Sequence, residues 1–405
     1  MFRKKCLACN SNELKEIIDL GSHPFADTFI PQSRAHEPDM IYPLVCDLCL
    51  HCGHVQTRYK TDPNDRYAQH DYSYTSSNSN FSRTHWDEFA KEVPAKAEVK
   101  EKSFIVEIGS NDGYLSANLA KSGYKTLGVD PSPYMAILAK ERNVPTVTSL
   151  FDIKTADKIL QEHGKADLII ANNVFNHSEE PLEFAKAASK LLAKNGKFVF
   201  EQPYWLISLE SKKFDQIYHE HVSYFTVKSA KALLENVGMI IKSAEIDNYH
   251  GGSLRIIAQN KSDLTKESPK VEKLIQKEKS FGAFEVSTYK KAMDEFNRKK
   301  NDFMIQIYKI KRQGIPIIGV GAAAKANTSL NYYNLDHSLI DYVTDASPHK
   351  QGKLTPATRI PIVGDDVFAK YDEVYALILS WNISGILKEI LLKINPKIKF
   401  LNLPE

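Results

Sequence analysis

The 405-residue sequence predicts an α/β protein with two doubly wound, mostly parallel sheets behind a small cysteine-bound module. Three observations carry this reading. Short apolar runs alternate with helical stretches twice, over 104–200 and again over 315–401. All five cysteines lie before residue 53. A lysine- and glutamate-rich stretch, about 266–313, separates the two series and reads as one or two long helices.

The first series places strands at 104–108, 126–129, 145–148, 167–171 and 197–200. The second places them at 315–320, 339–344, 374–380 and 399–401. Alternating strands and helices require crossover connections, hence a parallel sheet. The expected divisions are 1–65, 66–265, a helical connector over 266–311, and 312–405. Hydrophobic residues at 42% and charged residues at 25% suit a globular chain with buried cores. A formal net charge of +3 is too small to argue for a nucleic-acid or anionic-membrane partner. No apolar run reaches the roughly 18 residues of a membrane helix. The basic start, Met1 to Lys5, has no apolar stretch behind it, so no signal peptide is expected and a cytoplasmic location is.

Cysteine clustering of this kind suggests metal rather than disulfides. Cys6-Leu7-Ala8-Cys9 and Cys49-Leu50-His51-Cys52 form two CxxC knuckles, enough for a tetrahedral four-thiolate zinc site. Cys46-Asp47-Leu48-Cys49 competes as the second knuckle. Asn10 and Gly53 follow the preferred pairs and tolerate a left-handed turn, whereas Leu50 follows the competing pair. The expected ligands are therefore Cys6, Cys9, Cys49 and Cys52, with Cys46 spare and His51 and His54 as alternatives. A closed four-thiolate site leaves no open position for chemistry, so the zinc is expected to be structural.

The run at 104–108 leads into Glu107-Ile108-Gly109-Ser110-Asn111-Asp112-Gly113. Dinucleotide folds read GxGxxG here. The spacing ExGxxxG is instead that of S-adenosylmethionine (SAM)-dependent methyltransferases. Asp130, at the end of the second run, suits ribose hydroxyls because a carboxylate accepts two hydrogen bonds. Asn172 and Asn173 end the fourth run, where α/β sheets place ligand contacts. The expected cofactor set is Glu107, Gly109, Asn111, Asp112, Gly113, Asp130, Asn172 and Asn173.

The chain resembles a family, the sugar C-methyltransferases that act on C3 of nucleotide-linked 4-keto-deoxyhexoses. The resemblance spans nearly the whole chain. It rests on the cysteine knuckles, Tyr72-Ser73-Tyr74-Thr75-Ser76-Ser77, the glycine loop, Ala171-Asn172-Asn173-Val174-Phe175, Tyr218-His219-Glu220-His221, His250-Gly251-Gly252-Ser253-Leu254-Arg255 and Gly321-Ala322-Ala323-Ala324-Lys325. It implies a zinc module, a SAM-methyltransferase Rossmann-like domain and a C-terminal Rossmann-like domain that holds the nucleotide. Ala326 stands where the family's last loop glycine falls.

Methylating carbon needs a base to take a proton α to a ketone, and histidine is suited to that. The resemblance makes His221 the base, with His219 its rival, and Glu220, Tyr218 and Tyr74 companions at the reacting centre. Tyr72, Gly252, Lys325, Asp345, Lys350 and Gln351 become substrate contacts. Lys325 and the free amides of its loop suit a diphosphate. The expected partner is a nucleoside-diphosphate keto-deoxysugar, bound by a monomer or weak homo-oligomer without nucleic acid or membrane. Sugar O-methylation and a zinc-ribbon RNA methyltransferase or nucleic-acid-binding protein are the competing readings. The second would require a basic, aromatic-rich stripe, but the lysines of 266–312 are interleaved with acids.

Overall fold

The computed structural model describes residues 1–61, 75–77, 79–262 and 266–404. The N-terminal module is an antiparallel sheet. Strands β1 (Leu14–Pro24), β3 (Ile41–Cys49) and β4 (Val55–Thr57) lie side by side, and a fourth strand completes the row. That strand, β10 (Ser223–Tyr224), comes from the middle of the chain and pairs through Ser223↔Gln56 and Tyr224↔Val55. A second tie runs the other way. Strand β2 (Ile30–Pro31) pairs antiparallel with β15 (Lys353–Leu354) of the C-terminal part.

The central sheet has seven strands in the order β11-β12-β9-β8-β5-β6-β7. They are β5 (Phe104–Ile108), β6 (Lys125–Val129), β7 (Thr146–Val147), β8 (Ala166–Ile170), β9 (Leu192–Pro203), β11 (Met239–Asp247) and β12 (Ser253–Asn260). The five from β5 to β9 are parallel, and β12 runs antiparallel between β9 and β11. Helices α1 (Asn80–Lys96), α2 (Tyr114–Lys121), α3 (Pro133–Glu141), α4 (Ile153–His163), α5 (Pro181–Leu191), α6 (Trp205–Glu210) and α7 (Val227–Glu235) cover it. Their starts follow from capping side chains: Asp152 accepts from the Thr155 amide at 2.8 Å, and Thr226 and Ser229 form a reciprocal capping box. Strands buried on both faces are mostly apolar, as a sheet covered by helices requires, with Glu107 and Asp167 the charged members of β5 and β8.

The charged stretch forms α8 (Pro269–Phe281) and α9 (Val286–Arg312). They do more than present a solvated face. Fully buried Glu278 accepts from the Tyr204 hydroxyl at 2.8 Å and from the Val227 amide at 2.5 Å, at the start of α7. Beyond them lies a five-stranded parallel sheet, β16-β14-β13-β17-β18. Its strands are β13 (Ile317–Val320), β14 (Tyr342–Thr344), β16 (Ile362–Val363), β17 (Tyr375–Ile378) and β18 (Lys399–Asn402). Helices α10 (Ala324–Tyr333) and α11 (Ser384–Ile394) belong to it. The strand order reverses between β13 and β17, the place where such sheets open a ligand crevice. No helix among the described residues is long and apolar enough to cross a membrane.

Candidate functional site

The structure gathers Cys6, Cys9, Cys49 and Cys52, with all four sulfurs within 4.8 Å of one another. Two of the gaps, Cys6 to Cys52 and Cys9 to Cys49, are 3.6 Å. Zinc–sulfur bonds of about 2.3 Å at tetrahedral angles place sulfurs at roughly this spacing, so the four thiols fit zinc. Asn10 and Gly53 are left-handed, with φ of 61° and 74°. A Cβ on Gly53 would also strike the Phe284 ring at 2.4 Å. The alternatives fall away. Cys46 lies in β3, apart from the group, where burial pushes its thiol up. His54 contacts Ser223 Oγ at 3.1 Å and lies against Phe225, with burial pulling it down to about 4. His51 is exposed.

The glycine loop follows β5. Gly109 and Gly113 have φ of 67° and 72°, and a Cβ on Gly109 would meet Val174 Cγ2 at 2.8 Å. Asp130 closes the loop from β6: its two oxygens accept the Asn111 and Ser132 amides, both at 2.9 Å. Each oxygen keeps a second lone pair for a hydroxyl. Glu107 is buried, takes the Ser116 hydroxyl at 2.5 Å, and is pushed up to about 8 by desolvation. Asn172, in the loop after β8, has neither side-chain oxygen nor nitrogen hydrogen-bonded among the described residues, although both are buried. Buried amides are normally paired, so this one has hydrogen-bonding capacity to spare. Gln202, at the carboxyl end of β9, is in the same position. These groups fit SAM.

Asp112 is the member of the predicted set that turns away. Its carboxylate is taken by the Ser76 hydroxyl at 2.7 Å, the Ser77 hydroxyl and Arg142 at 3.2 Å. The reason is local: left-handed Asn111 (φ 51°) and Gly113 turn the chain between them so that residue 112 faces α3 and the 75–77 segment. Asn111 joins this tie by accepting the Ser76 amide at 2.8 Å, and Asn173 (φ 52°) gives its amide to the Glu201 carbonyl at 2.7 Å. Replacing Asn172 with alanine should weaken binding of the demethylated cofactor by about 0.5–1.5 kcal/mol, a neutral hydrogen bond or two, without lowering the melting temperature. Calorimetry showing unchanged affinity would remove Asn172 from the cofactor site.

The segment Tyr218–His221 is a turn, not a helix, between the short 3-10 stretch Phe214–Gln216 and β10. Its two histidines face different modules. His219 sits among Phe25 and Tyr42 of the N-terminal module, its Nε2 3.3 Å from the Pro43 carbonyl. Glu220 accepts the Asp27 amide at 3.5 Å. His221 is buried in the cleft. Its Nδ1 lies 2.9 Å from the Gln216 carbonyl, which can only accept, so that nitrogen carries the hydrogen. Nε2 is then the acceptor, and the Tyr218 hydroxyl donates to it at 2.5 Å. Burial holds His221 well below its ordinary value of 6.5, helped by His177, Lys325 and His250. His177, at the end of the β8 loop, has its ring centre 4.8 Å from that of His221.

Lys325 comes to this cleft from α10 and feels Asp215, Lys213, His221 and His250; burial lowers its pKa. It therefore faces His221 and His250 as well as the C-terminal loop. His250 is left-handed (φ 53°), an uncommon conformation for a non-glycine residue, and burial takes it down to about 3. Of the two glycines beside it, Gly251 packs on Trp381 and Gly252 on Ile207; a Cβ would approach within 2.6 and 2.7 Å respectively. The predicted contact Gly252 thus seats the turn on α6, while Gly251 is the one against the cleft's Trp381. Asp345, Lys350 and Gln351 come together, but on each other. Asp345 accepts the Ala322 amide at 3.0 Å, Lys350 donates to the Ala322 carbonyl at 2.7 Å, and Gln351 donates to the Asp345 carbonyl at 2.9 Å. Asp27 faces this set from the N-terminal module, its carboxyl raised by burial. Tyr72 and Tyr74 lie outside the described residues.

His85, Glu201 and Asp247 also converge, but Arg255 fills that site, at 2.6 Å from Glu201 and 3.5 Å from Asp247, so the group is an ion-pair network and not a cation site. It backs the His250 turn: Tyr249 stacks on His85 at 3.8 Å between ring centres. His177, Asp215, His250 and Trp381 are the cleft residues that sequence reasoning passed over as contributors. The runs holding the first three were visible, but nothing local indicates that they share a cleft.

A parallel sheet with the antiparallel strand second from its edge, a glycine turn after its central strand and an acid at the end of the next define a SAM-dependent methyltransferase. Comparison with known proteins agrees and narrows it. Three family models match in order: a zinc binding domain over 6–67, a methyltransferase domain over 81–242, and a C-methyltransferase C-terminal domain over 248–397. C-methyltransferase NovU of Streptomyces niveus is 28% identical over 378 residues, spanning 93% of this chain and 90% of NovU. The mitochondrial ubiquinone biosynthesis O-methyltransferase of Arabidopsis thaliana is 32% identical over 114 residues, 27% of this chain and 35% of that protein. Magnesium protoporphyrin IX methyltransferase from Synechocystis aligns with 45% of this chain and 84% of its own at 18% identity and a TM-score of 0.36. The chain is a SAM-dependent C-methyltransferase with an N-terminal zinc-binding domain.

Proposed function

We propose that the enzyme methylates C3 of a nucleoside-diphosphate 4-keto-deoxyhexose, with His221 removing the C3 proton. The observation that carries this reading is the state of His221: neutral, with Nδ1–H fixed by a backbone carbonyl and the Nε2 lone pair turned to a phenol in a cleft lined by Lys325 and His250. A base for an α-proton needs an unprotonated nitrogen at neutral pH, and this environment supplies one. SAM, when bound, supplies an electrophilic methyl group. Nε2 takes the proton, and the Tyr218 hydroxyl, displaced from Nε2 by the substrate C–H, donates to the ketone oxygen as negative charge develops there. Lys325 adds positive charge on the same side. Glu220 braces the segment against the N-terminal module. His219, seated against Pro43, acts in position and not in proton transfer.

Incubating the zinc-loaded enzyme with SAM and such a keto-sugar should give a product one methyl heavier, with the new methyl on carbon by NMR. A methyl found on oxygen would turn the reading to sugar O-methylation, and transfer to RNA alone would end it.

A further inference from the structure

Helix α10 carries two successive residues that suit a helix interior poorly, Asn327 and Thr328. Both are buried. A helical threonine commonly turns its hydroxyl back to the carbonyl four residues earlier. Thr328 instead reaches off the helix and donates to the Ile217 carbonyl at 3.1 Å. Among the described residues that carbonyl accepts from no other donor. Ile217 immediately precedes the Tyr218–His221 turn. Asn327 reaches another module in the same way, donating from Nδ2 to the Ala26 carbonyl at 2.6 Å. We infer that Thr328 is a positioning residue for methyl transfer: by holding the Ile217 carbonyl it aims the Tyr218 hydroxyl and the His221 ring. This rests on the reading of His221 as the base.

Two consecutive peptide planes decide where the base points. The Gln216–Ile217 plane supplies the carbonyl that takes the His221 Nδ1–H at 2.9 Å, and its N–H donates to the Phe214 carbonyl at 2.9 Å. The Ile217–Tyr218 plane leads into the tyrosine whose hydroxyl donates to His221 Nε2. Peptide planes are rigid, so only φ and ψ of Ile217, −86° and 115°, set one plane against the other. Thr328 grips the second plane by its oxygen. Without that grip the plane can rotate about ψ of Ile217. The rotation moves the Tyr218 hydroxyl off Nε2 and leaves the ring with one restraint in place of two.

The far end of the turn is anchored separately. The Val222 N–H donates to the Asn176 carbonyl at 2.9 Å, and the Val222 carbonyl takes the Thr57 amide at 2.9 Å. The base thus hangs between the N-terminal module and the β8 loop on one side and α10 on the other. Lys325, whose charge reaches His221, stands three residues before Thr328 on the same face of α10. One rigid helix therefore places both the cation and the turn that carries the base. On this reading the C-terminal part serves the chemical step itself.

The test compares Thr328→Val, which keeps the shape and loses the hydroxyl, with Thr328→Ser, which keeps the hydroxyl, in full zinc-loaded chains. Nitrogen NMR of histidine-labelled enzyme reports which ring nitrogen carries the hydrogen, and the His221 signal is the one lost in His221→Asn. Wild type and Thr328→Ser should show the Nδ1–H form alone, and Thr328→Val a mixture of both forms. In the methylation assay Thr328→Val should lower kcat by about 10- to 100-fold, with KM and affinity for the demethylated cofactor within about twofold of wild type. Thr328→Ser should restore kcat. A hydroxyl that serves stability alone would lower the melting temperature of Thr328→Val and leave tautomer and kcat unchanged, which overturns the inference. Thr328→Ser behaving like Thr328→Val also overturns it. An inactive His221→Asn beside an unimpaired Thr328→Val would spare the base and sink the role of Thr328. Mixed tautomers in Thr328→Val beside full turnover in His221→Asn would keep the grip on the ring, and sink both the base and the catalytic value of that grip.

Discussion

Replacing His221 with asparagine is expected to lower turnover by about 10²–10⁴-fold, the usual cost of losing a general base, with little change in cofactor affinity. Asparagine keeps a donor near the Gln216 carbonyl but has no basic lone pair. The neighbouring variant is the control. His219→Asn should stay near wild type, because that ring lies between Phe25 and Tyr42 with its nitrogen at the Pro43 carbonyl. The pH profile carries a second signature. Burial, His177 and Lys325 all disfavour the charged form of His221, so it loses its proton at lower pH than an ordinary histidine. The acid limb of kcat/KM should therefore fall well below pH 6.5, and the rate should be level from there through neutrality. In D₂O with the demethylated cofactor, wild type should exchange the substrate's C3 proton and His221→Asn should not. A His219 variant that is dead beside an active His221 variant would exchange their roles.

Stripping the zinc, or replacing Cys49 with serine, should have an effect of similar scale on stability. Apparent binding energies of structural zinc run to about 10–16 kcal/mol in small domains, and here the ion would organise both knuckles of the module. Metal analysis should return close to one equivalent per chain, and the variant should lose it together with a large part of its thermal stability. Activity should fall too, although a four-thiolate site does no chemistry, because β4 of that module pairs with β10, two residues beyond His221. Full activity in metal-free protein would show that the module holds the cleft without the ion.

The sheets were legible where burial makes a strand largely apolar. Residues 104–108 read as a strand and are one. The N-terminal sheet was not, and β1 shows why. Ile17 and Ile18 are both buried in succession, and the pairing with β3 slips between Glu16 and Ile18, so the alternation that marks a strand is broken. β10 has only two residues, and its partner is more than 160 positions away. The four cysteines were legible because spacing and the following residue are local properties. Which histidine faces the cleft was not, because a turn, unlike a helix or strand, has no period from which to read direction. Asp112 likewise was visible as part of a motif, but its partners Ser76 and Arg142 come from two other segments.

The two strand exchanges have a practical consequence for building hybrids of this enzyme. β10 gives an edge to the N-terminal sheet, and β2 gives one to the C-terminal part. Cutting the chain at module borders would leave each fragment with an unpaired strand edge, the feature through which proteins aggregate. A graft of a foreign C-terminal part must therefore carry a matching stretch at Ile30–Pro31, and also at Asp39, whose carboxylate holds Arg359. The unit of exchange in this chain is thus a set of distant segments rather than one continuous stretch.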